Sequence, residues 1–317
     1  MIRSRSNVIL SIATVFVLLI TSAPVLGAPN TTLQAVVDSL FPIASSGEVM
    51  YRDLVEPAID SIAALGADVA PILIDKFTTK SARERHTIKN ILKRIGKPAV
   101  PHLTQALRHP DGLIVSRVCW TLGEIADSSA VGPLMDVTGH RRWQVRDEAL
   151  GALGDIGDSQ AADVMLFAFT DTVGQVRKAA SVAAGKIRLA EAIELLVHTL
   201  GDEFYGARMS SVEALLKLDT AAVIKAIADS MGSVNPLVVN LGCLILGELG
   251  TDEAVEVLMS QVTSDDPARR AHAAVAIVKA DPLDNCSYRE AILANETDRL
   301  VLLKIKSAIY STENEQR

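Results

Sequence analysis

Six histidines are the first place to look for chemistry in this chain, since imidazole is both a common metal ligand and the side chain that titrates nearest neutrality. His86, His102, His109, His140, His198 and His272 show no i, i+4 pairing with one another or with cysteine, and no His-Glu dipeptide occurs. No metal site of the usual helical spacing is expected. Gly151, Gly154 and Gly157 fall three apart, with Asp155 and Asp158 beside them. Phosphate-cradling glycines follow a strand, whereas these lie in and just after a helical pattern, where packing and C-capping account for them. The two aspartates read as capping acids at a turn, not as an acid–base pair. There is no G-x-S-x-G elbow and no G-x-x-x-x-G-K-[ST] loop. No catalytic residue and no cofactor are assigned.

Arginine, lysine and tryptophan carry a stronger signal. Residues 76–109 hold nine Lys or Arg and one acid, Glu84, while residues 147–317 hold 26 acids against 15 bases. Arg85, Lys89, Lys93 and Lys97 recur every fourth residue, and Arg94 adjoins them. Like charges at that helical spacing repel by a few tenths of a kcal/mol per pair. Such a stripe is either screened by acids on neighbouring helices or kept for an anionic partner. Arg117 and Trp120 fall on the exposed face of the next unit, and Arg141-Arg142-Trp143 follows. Arg and Trp are enriched in interface hot spots, so Lys89, Lys93, Arg94, Arg117, Trp120 and Trp143 are the candidate partner surface. Arg146, Arg177 and Arg208, spaced by 31, form a separate ladder. Its expected role is structural, each guanidinium bonding to helix-end carbonyls or to turn carboxylates such as Asp171 and Asp202.

The elements that position these side chains follow from a repeat. Ile125, Ile156, Ile187, Leu218 and Leu249 are each 31 residues apart. A fixed period of this size marks a solenoid, in which one small unit buries its apolar face only by stacking on neighbours. Counting back from each marker, apolar or small residues fall at minus 7, minus 4, minus 3 and zero, one helix face. Ala149, Ala152, Leu153 and Ile156 show the pattern, as do Ala180, Ala183, Ala184 and Ile187. Extending outward gives eight units. A polar or Gly-containing break then leads into a second apolar helical segment, so each unit is a pair of helices of roughly 10 to 13 residues.

The stretch from Gln144 to Asp158 resembles the V-R-x-x-A-x-x-A-L-G-x-I-G-D signature of HEAT-like repeats of the phycobilisome-lyase type. Val176-Arg177 through Ile187 resembles it too, with Arg188-Leu189 in place of the final Gly-Asp, while Val239 stands where the Arg would be and Leu216 where the Gly would be. The resemblance implies an all-α fold: a right-handed α-solenoid of about eight helical hairpins of the ARM/HEAT type. It also implies that the helices bearing the basic stripe line the concave face. On activity it says little, because such repeats serve scaffolds, chromophore lyases and a hydroxylase alike. The hydroxylase branch resembles paired His-Glu iron motifs, which this sequence lacks.

Composition sets the remaining bounds. Apolar residues make up 49% and aromatics 4%, which suits thin helical layers of Ala, Leu, Val and Ile better than one large globular core. Arg3 and Arg5 precede the apolar stretch Val8 to Ile20 and the small residues around Pro24, the pattern of a secretory signal peptide. Removing Arg3 and Arg5 with it takes the net charge from −7 to −9. An acidic exported protein is a poor nucleic-acid binder. Cys119 and Cys243 lie 124 residues, or four repeats, apart. At about 8 to 10 Å per helix layer they are too distant for a disulfide, and Cys286 is more than one unit beyond Cys243.

The expected organisation is therefore a signal peptide over 1–28, an N-terminal capping region over 29–52, HEAT-like repeats over 53–283 and C-terminal capping helices with a polar tail over 284–317. The expected function is that of an exported, periplasmic or secreted, non-catalytic protein-binding scaffold. Its partner would be a protein, anionic where it meets the N-terminal half. The alternatives are a chromophore-binding enzyme or enzyme subunit resembling the phycobilin lyases, and an adaptor anchored to a membrane by an uncleaved N-terminal segment.

Overall fold

The computed structural model describes residues 29–280 and 286–315. The signal-like segment and residues 281–285 lie outside them. The chain divides into two compact units, one reaching to Val137 and one starting at Thr138. All described regular structure is helical.

The first unit opens with α1 (Pro29–Ala44). It continues with α2 (Val55–Ala63), α3 (Ala70–Asp75), α4 (Ala82–Ile95), α5 (Val100–Ala106), α6 (Gly112–Ile125) and α7 (Val131–Val137). The second unit runs through α8 (Trp143–Ile156), α9 (Ala162–Ala168), α10 (Gly174–Ile187), α11 (Ile193–Thr199), α12 (Tyr205–Leu215) and α13 (Thr220–Ser230). It ends with α14 (Pro236–Leu249), α15 (Asp252–Gln261), α16 (Pro267–Ala280), α17 (Cys286–Asn295) and α18 (Arg299–Glu315). Pairing each helix that ends at a marker with the helix after it gives eight hairpins, α2/α3 to α16/α17. Within each unit the marker helices stack in order: α2, α4 and α6 in the first; α8, α10 and α12, then α14, α16 and α18, in the second.

The two helices of a hairpin are less alike than the repeat pattern suggests. Six marker helices have 14 residues, but α5, α7, α9 and α11 have seven. A 3₁₀ turn precedes each of those short helices. The cause is local. Asp127 and Asp158 cap that turn by accepting from the backbone N–H two residues on, at 2.9 Å, which fixes a tight start. Asp158 is thus a capping acid as expected, whereas Asp155 pairs instead with Lys186 of the next marker helix.

After six of the markers the next residue takes positive φ, while Asp219, after Leu218, keeps φ −60° and caps the following helix instead. Gly66, Gly96, Gly157 and Gly250 take positive φ there, and so do Ala126 (57°) and Arg188 (53°), which carry the strain of a Cβ in that region. The marker itself is only half-buried in most hairpins because it closes the helix beside that turn, while the residues at minus 3, minus 4 and minus 7 form the sealed seam.

Small residues set the spacing of that seam. A Cβ added to Gly185 would stand 2.9 Å from the Cβ of Ala214 and 3.0 Å from its Cα; at Gly154 the Cα of Ala183 would be 2.9 Å away, and at Gly247 the carbonyl oxygen of Ala276 would be 2.9 Å away. The same glycine-on-alanine contact therefore recurs two residues before three markers. These are helix-to-helix backbone approaches, so the obstacle is main chain and cannot rotate away. Substituting Gly185→Val should lower stability by about 2 to 3 kcal/mol, read as a reduced midpoint in a denaturant melt followed by far-ultraviolet circular dichroism. A wild-type midpoint would refute the close-approach account.

Candidate functional site

The candidate surface lies in the first unit, where α4 packs on α6. Ser81 caps α4 by accepting from Glu84 N–H at 3.3 Å, and Asp111 caps α6 by accepting from Leu113 N–H at 2.9 Å. These caps set the rotation at which the two helices present their polar flanks. Trp120 is partly exposed, with the Lys89 ammonium 4.4 Å from its ring centroid and the His86 ring edge-on at 5.0 Å and 88°. The indole is therefore held between a cation and an imidazole, a fixed and partly wet aromatic platform.

The basic stripe is largely neutralised. Lys89, expected on the open surface, is only 8% exposed, and its ammonium donates to Glu124 Oε1 at 3.0 Å. Lys93 donates to Oε2 of the same carboxylate at 2.7 Å. Arg94 grips Asp60 at 2.6 Å and Glu56 at 3.0 Å on α2. As free positive charges Lys89, Lys93 and Arg94 drop out: acids one helix away in each direction pair with them, and those acids sit 31 to 38 residues off in sequence. Hydrogen bonds from Lys93 and then Lys89 hold the Glu124 carboxyl below its ordinary range. Trp143 opens α8 in the second unit, partly exposed.

Arg117 is different. It is partly exposed, and its Nη1 donates to the carbonyl of Thr79 at 3.0 Å. Beside it stands Arg85, whose Nη1 donates to the carbonyl of Lys80 at 2.8 Å. Arg85 sits ten residues before the marker Ile95, the position that Arg146, Arg177 and Arg208 hold in their hairpins. Arg270, ten before Ala280, sits there too. Counting back ten from those two outer markers was enough to find both.

The ladder in the second unit is built as a chain. Arg146 binds Asp171 through Nε and Nη2, each at 2.7 Å, and its Nη1 donates to the carbonyl of His140 at 2.9 Å. Arg177 binds Asp202 likewise at 2.6 and 2.7 Å, with Nη1 on the carbonyl of Asp171 at 2.7 Å. Arg208 then donates to the carbonyl of Asp202 at 2.7 Å. Each aspartate also accepts from the backbone N–H two residues on, Val173 and Phe204. Burial, the largest single influence, works to raise Asp171 and Asp202, but the arginine hydrogen bonds, the backbone N–H bonds and the arginine charges together outweigh it and keep both carboxyls low. Arg270 closes the series on Glu296 at 2.8 and 3.2 Å, and that bond is the main cause holding Glu296 at about 2.

Among the described residues no three of His, Cys, Asp and Glu converge as metal ligands. His102 and His109 share an open groove of about 490 Å³ with Asp75 and Arg108, between α3 and α5. Cys119 is buried, and burial pushes the Cys243 thiol up to about 11, so it is protonated at neutral pH. The side chain of Cys286 lies outside the described residues. Glu148 on α8 is a group the sequence did not single out: burial first, then the charges of Asp147 and Asp155, push its carboxyl up to about 7. Burial raises Asp147 as well, against the opposing charge of Lys178.

Residues 100–184 match the family model described as HEAT repeats. With hairpins of the same build on both sides, the chain is a HEAT-like repeat protein. Comparison with curated proteins finds no match. Among solved structures, the Escherichia coli protein YibA aligns with a TM-score of 0.49 at 15% identity over 80% of this chain and 96% of its own. The CpcE–CpcF complex of phycocyanin lyase from Nostoc aligns at 0.39 and 15%, over 77% and 94%. Human deoxyhypusine hydroxylase aligns at 0.36 and 20%, over 80% and 98%.

Two substitutions test these electrostatics. Glu124→Gln leaves the buried Lys89 ammonium without its counter-ion and should cost about 1 to 3 kcal/mol at pH 7, measured by chemical denaturation; no change would mean Lys89 is solvated without it. For Glu148 the sign is the reverse. Its folded-state carboxyl titrates at about 7, above the ordinary value of 4.5, so the unfolded chain releases its proton first as pH rises. Stability is therefore lost between about 4.5 and 7 and stays lost above. Glu148→Gln should be neutral at pH 4 and stabilising by about 1 to 2 kcal/mol at pH 8, the full shift being discounted for partial exposure. Melting curves at the two pH values should diverge; parallel curves would refute the raised value.

Proposed function

We propose that this HEAT-repeat scaffold is an exported protein-binding module that captures its partner on the α4–α6 surface of the first unit, with no catalytic step of its own. The observation that carries this reading is the Trp120 platform, a partly exposed indole locked between Lys89 and His86. Rigid, partly wet aromatic side chains beside cations are the typical anchors of protein interfaces. Holding the indole in advance removes the ordering cost that a mobile tryptophan would add on binding. Lys89, Lys93 and Arg94 on this surface are engaged in ion pairs within the unit, which keeps the anchor rigid.

Export rests on the N-terminal residues Arg3, Arg5 and Val8 to Ile20. Among the described residues no single helix is long and apolar enough to cross a membrane.

The test is a paired capture. Immobilised wild-type protein and Trp120→Ala, matched for melting behaviour, are exposed to the extracytoplasmic fraction of the native host. A specific protein retained by the wild type and at least about tenfold depleted on Trp120→Ala is the expected result. Equal retention by the two would remove Trp120 as the anchor.

A further inference from the structure

The arginine ladder has a common pattern, and Arg85, its single rung in the first unit, departs from it. Arg146, Arg177 and Arg270 each send Nη1 to a carbonyl six residues upstream and close Nε and Nη2 on a carboxylate. Arg208 keeps the carbonyl contact, stands over Tyr205 at 5.3 Å, and has the Asp202 charge within reach. Arg85 reaches the carbonyl of Lys80, five residues upstream, while the carbonyl six upstream, Thr79, accepts from Arg117. Twenty-five residues further on, where Arg146 meets Asp171 and Arg177 meets Asp202, the sequence has Pro110. A second cation, Arg117, comes to the same turn, so the two guanidiniums hang from the consecutive carbonyls of Thr79 and Lys80 at 3.0 and 2.8 Å.

Among the described residues no carboxylate forms an ion pair with either arginine within 4.0 Å. Glu84, the one acid between residues 76 and 109, is hydrogen-bonded to the hydroxyl of Thr79. Residues 1–28 contain no Asp or Glu that could reach in. Both side chains are partly exposed. Burial, followed by the like charge of Arg85, depresses the Arg117 guanidinium below its ordinary value, with Asp111 acting in the other direction. Two like charges fixed side by side by backbone carbonyls, with solvent access and no carboxylate within ion-pair distance, form an arrangement that an incoming anion stabilises.

We infer that Arg85 and Arg117 form a subsite for a carboxylate side chain from an acidic segment of the partner protein, held by the same planar fork that Arg146 closes on Asp171. Three rungs of this molecule bind carboxylates by that geometry, which is the argument for a carboxylate over a phosphoryl group. Trp120, one turn along α6 from Arg117, then offers its face to the residues beside the captured acid. This inference rests on the protein-binding reading and adds the chemistry of what is bound.

The probe is a dye-labelled hexaglutamate peptide titrated into the purified protein at low salt and followed by fluorescence anisotropy. Arg85→Gln/Arg117→Gln should weaken binding by about tenfold or more, while Lys186→Gln, which removes an ion-paired cation of the second unit, should change it by less than about twofold. Because the double variant removes two backbone contacts and could unfold, Pro110→Asp is the companion. It supplies a carboxylate where Asp171 and Asp202 stand, should raise the melting temperature, and should abolish peptide binding on an intact fold. Glutarate should displace the peptide at lower concentration than inorganic phosphate. The subsite is overturned if the wild type fails to bind the peptide, if Pro110→Asp binds it unchanged, or if phosphate competes as well as glutarate. In each case retention of a partner through Trp120 would still stand or fall on the capture experiment alone.

Discussion

Close approach of the marker helices is the constraint on which the other features depend. Gly154 on Ala183, Gly185 on Ala214 and Gly247 on Ala276 bring helix backbones together with almost no side chain between them. Dispersion falls off steeply with distance, so such seams gain from many short contacts what they lack in large residues. That spacing also determines which polar flanks meet. Residues near 25 and near 31 apart become neighbours across the seam, so Arg146 reaches Asp171 and Lys186 reaches Asp155. The packing of alanines and the pairing of charges are one geometric fact seen on two faces of the same helices.

Once the seam is formed, most charges on the flanks find partners of opposite sign. In the second unit the guanidiniums and carboxylates alternate along the ladder, each aspartate accepting from one arginine by its side chain and from the next by its backbone. In the first unit Lys89, Lys93 and Arg94 are absorbed by Glu124, Asp60 and Glu56. What this internal pairing leaves over distinguishes one hairpin from another. A repeat protein conserves its seam by necessity and acquires function through exceptions to its own pattern; here the exceptions are Pro110 and Arg117 beside Arg85, and the half-buried Glu148.

The repeat was legible because its signal is redundant: five markers in strict register and a helical spacing of small residues leave few alternatives. The structural role of Arg146 and Arg177 was legible for the same reason, since Asp171 and Asp202 recur in step with them. The stripe from Arg85 to Lys97 was harder. Its helical face could be read, but not the acids on adjacent helices, because Glu124 and Asp60 lie outside the local window that defines the face. Spacing alone puts Lys89 on the outer face, whereas its ammonium turns toward Trp120 and Glu124. The expected length of about 10 to 13 residues holds for the second helices α13, α15 and α17 but not for α3, α5, α7, α9 and α11, because the sequence pattern does not reveal that a 3₁₀ turn comes first there. Glu148 could not be found at all by spacing, since its raised carboxyl depends on burial and on two neighbouring acids together.

The span of the polar ties has a kinetic meaning. The side-chain bonds that link one hairpin to another join residues 25 to 38 apart, and no described bond needs the far end of the chain in place. Contact order is therefore low for a protein of this length, and loop-closure entropy is met in small, equal steps. Folding can begin at whichever pair of hairpins first seals its seam and zip outward from there. A newly synthesised chain can then consolidate its leading hairpins while the trailing ones are still extended.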